Sequence, residues 1–401
     1  MTDLFWPGDQ RAGDVMSDAA FLTAMVRVET AWLTVLVDAG VAPDAARVDL
    51  GSTLRDGDLE TIARGAEADG NPVTGLVALL RERTGGPPAQ WLHRGLTSQD
   101  VVDTALVLCA RDALDAVSTA VLAQVRTLAD LVETHRDAPM VARTLTQHAV
   151  PSTVGGKFAV WLAGVLDAVE PLAALRSSLP VQAGGAAGTL AATTELAGSA
   201  DAALGLVESL ATALYLVPAL PWHTRRAPIT RIGDALVTCC DAWGHLAADV
   251  ATLSRPEIGE LSEGHAGKSS TMPHKQNPVL SVLIRRAALS TGPLASTLHT
   301  ASACSVDERA DGAWHVEWAT LRTLARRTVV AAAQTADLLA HLRIDVERSA
   351  TILADADGMD AEQLSMAKLT EREPLPSYLG ATDRIVDAVL QRASQYLKEA
   401  T

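Results

Sequence analysis

After Pro228, the residues Ile229, Ile232, Leu236, Cys239, Trp243, Leu246, Val250 and Leu253 follow one another at steps of three and four without a miss. That spacing puts all of them on one helix face. Similar stripes run from Val101 to Val132, from Phe158 to Leu175 and from Trp318 to Leu339. Helices this long with a continuous apolar face pack lengthwise at small angles, so the pattern predicts an all-α bundle. No strand-period alternation of comparable strength competes with it. Residues 1–95 read instead as shorter helices: Asp18 opens one with an acidic cap, Phe21, Met25, Val28, Trp32 and Val35 line it, and Gly40 ends it. Gly70-Asn-Pro and Thr84-Gly-Gly-Pro-Pro are turns. Residues 96–345 carry the long helices. Residues 346–401 form a short tail unit with Pro374-Leu-Pro and a last helix near Asp383 to Leu397.

Composition sharpens this picture. The chain has 401 residues, too many for one core of ordinary size. It is 48% apolar with only 3% aromatics, so Ala, Leu and Val do the packing, and Ala and Leu favour helix. No unbroken apolar run of about 18 residues predicts a membrane span, and the N-terminal residues do not read as a secretory signal. Cys109, Cys239, Cys240 and Cys304 lie in apolar helical patterns and read as reduced thiols of a cytoplasmic protein. The net charge of −15 disfavours nucleic acid as a partner. It also requires that any anionic substrate be held by cations gathered at the site. Neither His-Glu-x-x-His nor paired cysteine spacing occurs, so no metal is expected. Gly184-Gly-Ala-Ala-Gly lacks the Lys-Ser/Thr ending and the preceding strand of a phosphate loop.

Three polar segments stand apart from the stripes. The first, His93-Arg-Gly-Leu-Thr-Ser-Gln-Asp, opens a long helix and places Thr97, Ser98 and Gln99 where backbone N–H groups are free. It serves either as a helix cap or as a carboxylate cradle. The second, from Arg143 through Thr144, Gln147 and His148 to Pro151, reads as a loop of donors leading into a helix at about Ser152. The third runs from Gly264 to Pro278 and is rich in Gly, Ser and Pro, so it is expected to be mobile. Its Ser269, Ser270, Lys275 and Asn277 have no evident packing role.

Ser269-Ser-Thr-Met-Pro-His-Lys-Gln-Asn-Pro resembles the signature loop of the fumarase/aspartase superfamily, and the other two segments resemble its other shared regions in the same order. Further stretches resemble its carboxymuconate cycloisomerase branch: Gly184-Gly-Ala-Ala-Gly-Thr-Leu-Ala, Pro221-Trp-His-Thr-Arg-Arg and Glu308-Arg-Ala-Asp-Gly-Ala-Trp-His. The resemblance implies a three-domain helical subunit in a homotetramer with a twenty-helix core and active sites shared between subunits. It implies no cofactor and a small polycarboxylate substrate. The expected reaction is lactonisation of 3-carboxy-cis,cis-muconate through an aci-carboxylate. Ser269 would be the acid/base, with Ser270 as fallback and His148 as a further catalytic candidate. Thr97, Ser98, Gln99, Arg143, Thr144, Gln147, Lys275, Asn277 and Arg309 would bind substrate. Arg309 and Trp314-His315 rest on the branch resemblance alone. They read equally as solvated helix charges and a packed Trp, and His223, Arg225 and Arg226 read equally as the surface start of a helix.

The chain departs from the family pattern at several points. Leu145 stands where many members carry an acid His, Lys268 where Gly is usual and Gln276 where a basic residue is common. A block of the usual third domain is absent between Ala367 and Pro376. The rival expectation is a superfamily lyase that eliminates an amine or similar group from a succinyl substrate, as in adenylosuccinate lyase or specialised metabolism. A non-catalytic protein on the same scaffold is disfavoured by Ser269, Lys275 and Asn277.

Overall fold

The computed structural model describes residues 3–264, 267, 272, 276–309 and 311–399. In chain order the first elements are α1 (Asp18–Asp38), α2 (Asp58–Asp69), α3 (Val73–Thr84), α4 (Gly86–Trp91), α5 (Ser98–Thr134), β1 (Pro139–Thr144), β2 (Gln147–Thr153) and α6 (Val154–Ser177). Then come α7 (Ala191–Ala197), α8 (Ala200–Leu214), α9 (Ala227–Leu253), β3 (Leu261–Glu263), α10 (Val279–Ala303) and α11 (Gly312–His341). The chain closes with β4 (Leu342–Ile344), α12 (Val346–Ala354), α13 (Ala361–Thr370) and α14 (Thr382–Glu399). Helix dominates, as the stripes predict, and every apolar residue of the Ile229–Leu253 stripe is buried.

Two compact units emerge. The first comprises Met1–Ala116, Leu172–Leu236 and Gly292–Val329. Here α1 packs on α8, and fully buried Trp32 donates its indole N–H to the Arg94 carbonyl at 2.7 Å. The cap of α1 is Ser17, whose hydroxyl accepts from Ala20 N, rather than the expected Asp18, which sits in the first turn. Gly233 of α9 permits close approach: a Cβ there would lie 2.7 Å from Leu298 Cδ1.

The second unit comprises Val117–Pro171, Val237–Thr291 and Val330–Thr401. Gln124 ties three helices at their apolar seam: Trp243 Nε1 donates to its Oε1 at 2.8 Å, and its Nε2 donates to the Ala332 carbonyl at 2.8 Å. A polar side chain sealed among helices fixes their register, because any slip leaves it unsatisfied. Residues 139–153 form an antiparallel hairpin, not the loop expected from the sequence, and α6 starts at Val154. Helix α12 packs on β1, and β3 pairs antiparallel with β4.

By length and composition α1 and α6 could each cross a membrane, although neither is an unbroken apolar run. Both use that surface for packing through residues such as Val28 and Trp32, and Phe158 and Leu162. The four cysteines are free thiols. Cys304 is exposed just beyond α10, contrary to its expected place in an apolar stripe. Burial pushes the Cys109 thiol up to about 12.

Candidate active site

In the first unit the site residues gather at the start of α5. Asp100 is fully buried and gathers donors from three segments. Thr97 N reaches its Oδ2 at 2.9 Å, and Gly184 N and Gly185 N reach Oδ1 and Oδ2 at 2.9 Å each. Gln182 Nε2 donates at 3.1 Å, and His223 Nε2 lies 2.8 Å from Oδ1. A buried carboxylate met by this many donors is held rigidly. It fastens the glycine loop at 184–188 to the segment carrying Thr97 and Ser98. The loop needs its glycines: Gly185 and Gly188 have φ of 70° and 72°, and a Cβ on Gly184 would lie 2.8 Å from His223 Cε1 and 2.9 Å from Pro221 Cβ. Replacing Gly184 by Ala is expected to cost about 1–3 kcal/mol through overpacking. A thermal melt equal to wild type would show that the loop has room to give.

Thr97 and Ser98 are half-buried, and Arg309 Nη1 donates to Thr97 Oγ1 at 2.9 Å. Two predicted substrate residues, far apart in the chain, are therefore brought together. Gln99 lies inward: it is fully buried and donates to the His223 carbonyl at 2.8 Å. Beneath them Arg226, fully buried, is gripped by Asp103 at 2.7 and 2.9 Å and by Glu317 at 2.5 to 3.0 Å. Trp314 Nε1 donates to Asp103 at 2.9 Å. The reading of His223 and Arg226 as a surface helix start is thus corrected, and only Arg225 of that group is exposed. Burial alone would lower the Arg226 pKa, but attraction from Asp103 and hydrogen bonds to both carboxylates raise it. Burial raises Glu317, with Arg226 only partly countering it. One cation faces two carboxylates.

His93 also lies here. It has φ of 62°, and its Nδ1 sits 2.6 Å from Oε1 of fully buried Glu29. The sequence reading gave this pair no role. Its signal was Glu29 itself, a charge on the apolar face of α1 that requires a partner.

In the second unit the hairpin carries the remaining set. Thr144 faces Gln147 across the turn, and Arg143 faces His148. The tip residues Leu145 and Thr146 both have positive φ, 48° and 72°, and Leu145 is 95% exposed. Arg143 donates to fully buried Glu260 at 2.8 Å, while His148 and Gln147 are exposed. Arg143 and His148 open onto a cavity of about 530 Å³. Ser269, Ser270, Lys275 and Lys268, together with the expected mobility of most of their loop, lie outside the described residues. Its two ends are bracketed: Gly267 and Asn277 pair through both backbone hydrogen bonds, at 3.0 and 3.3 Å. Glu263 accepts from Leu280 N at 3.0 Å and Ser281 N at 2.7 Å, capping α10.

A family model described as a lyase matches residues 37–290, and the chain belongs to the fumarase/aspartase superfamily and has its all-α fold. It is 41% identical to nitrosuccinate lyase of Streptomyces davaonensis, covering 88% of this chain and 77% of that protein. To 3-carboxy-cis,cis-muconate cycloisomerase of Bradyrhizobium diazoefficiens it is 34% identical, over 94% and 83%. Among solved structures, the 3-carboxy-cis,cis-muconate lactonizing enzyme of Pseudomonas putida matches with a TM-score of 0.82 at 28% identity, covering 96% and 97% of the two chains.

Proposed function

We propose that this lyase eliminates a small anion from a 2-substituted succinate, with nitrosuccinate as the first substrate to test. The observation that carries this reading is the 41% identity to nitrosuccinate lyase, against 34% to the cycloisomerase. The chemistry of the hairpin agrees with it. Leu145 stands at the tip where many superfamily members carry an acid His, and its side chain has no proton to give. Amine leaving groups need protonation, whereas nitrite departs as a stable anion without a general acid. The proposed base is Ser269, acting as an alkoxide on the proton at the carbon beside the far carboxylate. The resulting aci-carboxylate expels nitrite from the adjacent carbon and leaves fumarate. Thr97, Ser98 and Arg309 would meet one carboxylate, and Arg143, Gln147, His148, Lys275 and Asn277 the rest of the substrate. The reading includes a cytoplasmic homotetramer of three-domain subunits (1–95, 96–345 and 346–401) with active sites shared between subunits and no metal or cofactor.

Lactonisation of carboxymuconate is the second reading, favoured by the cycloisomerase relatives and by the structural likeness to the Pseudomonas putida enzyme. Both reactions pass through the same kind of intermediate, so substrates decide between them. Purified protein given nitrosuccinate is expected to release nitrite and fumarate in equal amounts. Turnover of carboxymuconate with none of nitrosuccinate would reverse the assignment.

A further inference from the structure

Besides Arg143 and His148, the cavity beside the hairpin holds cations that the sequence did not single out. Arg143, Lys157, Arg255 and Arg348 all line it, with His148 nearby and Asp249 among the acids. Three of these four cations are already occupied. Arg143 is paired with Glu260 at 2.8 Å, and Lys157 with Asp249 at 2.9 Å. Arg348 donates to the Ile258 carbonyl at 2.8 Å and the Glu257 carbonyl at 3.0 Å.

Arg255 differs. Among the described residues its guanidinium has no ion pair and no hydrogen bond. Its backbone, by contrast, is tightly held. The Arg255 carbonyl accepts from Ile258 N at 2.9 Å and Gly259 N at 2.8 Å, closing a turn directly after α9. The Arg348 side chain holds that same turn through the Ile258 and Glu257 carbonyls. The turn also leads straight to Glu260, the partner of Arg143. A held backbone turn thus presents an exposed, unpaired and always-charged fork to a cavity lined by three other cations and by Asp249, Glu257 and Asp355, in a chain of net charge −15. Carboxylate is the chemical match, because its two oxygens accept the guanidinium N–H pair in parallel.

We propose that Arg255 binds a carboxylate of the dicarboxylate substrate in this cavity, which Arg143 and His148 also line. The proposal rests on the reading of the protein as a lyase of substituted succinates, and its test separates the two. Succinate serves as a probe that binds without turnover and is titrated calorimetrically into the wild-type protein, R255Q, R255K and the control R372Q. Arg372 is exposed and outside the cavity, so R372Q reproduces the change in net charge alone. R255Q is expected to weaken succinate about tenfold and to raise KM by a similar factor, with kcat changed less than about threefold. R255K should fall between, because it keeps the charge and loses the fork. Equal behaviour of R255Q and R372Q overturns the proposal, as does weakened succinate binding with KM unchanged, or no succinate binding by wild type. Should wild type fail to turn over nitrosuccinate while R255Q alone loses succinate, the carboxylate cavity stands and the proposed reaction falls.

Discussion

Replacing Ser269 by Ala is expected to lower kcat roughly a thousandfold while succinate still binds with near wild-type affinity, the scale of loss when a positioned acid/base group is removed. The substrate proton sits on carbon beside a carboxylate and is very weakly acidic, so the base must be strong. An unassisted serine hydroxyl is far too weak an acid to be present as alkoxide near neutral pH. The demand falls on whatever stabilises that anion, and Lys275 and the loop's own backbone N–H groups are the nearest candidates in the chain. Ser270→Ala is the matched control and should retain most activity. Single-turnover measurements with nitrosuccinate would separate the chemical step from product release. A kcat for Ser269→Ala within about threefold of wild type would remove Ser269 from the mechanism.

Arg226→Met is expected to destabilise the protein by about 3–5 kcal/mol, the scale for leaving buried charges without their partner. The arginine is fully buried, so the loss exceeds that of an exposed ion pair. Without it, Asp103 and Glu317 remain enclosed together as two carboxylates. Trp314 then offers the nearest donor, to Asp103. The triple variant Arg226→Met, Asp103→Leu, Glu317→Leu should recover much of the loss, because apolar replacement of a whole buried ionic group is often neutral. Urea unfolding followed by fluorescence reads both. A single variant within 1 kcal/mol of wild type would mean that water reaches this group.

The stripes made the long helices legible, because burial along α9 follows from residues three and four apart and needs no distant partner. The hairpin at 139–153 was missed for a local reason. Its strands are short, Pro151 interrupts the second, and a register shift between Val141 and Arg143 breaks the alternation. His223 and Arg226 were misread because polarity is local while its satisfaction is not: their partners Asp100, Asp103 and Glu317 come from other helices. The meeting of Arg309 with Thr97 was legible only through family resemblance. Arg255 carried no signal at all, since an arginine in a turn after a helix reads as solvated until a cavity is seen beside it.

The hairpin bearing Arg143 and His148 turns on Leu145 and Thr146, both in backbone conformations that L side chains adopt at a cost of about 1–2 kcal/mol each. Asn-Gly is the pair such a two-residue turn ordinarily selects, so this ribbon is a weak fold by itself and leans on α12, which lies along β1. Any shortening of the tail would therefore meet a floor. The stretch between Ala367 and Pro376 lies outside α12, but a deletion reaching back to Val346 would strip the ribbon of its backing and scatter the residues it displays.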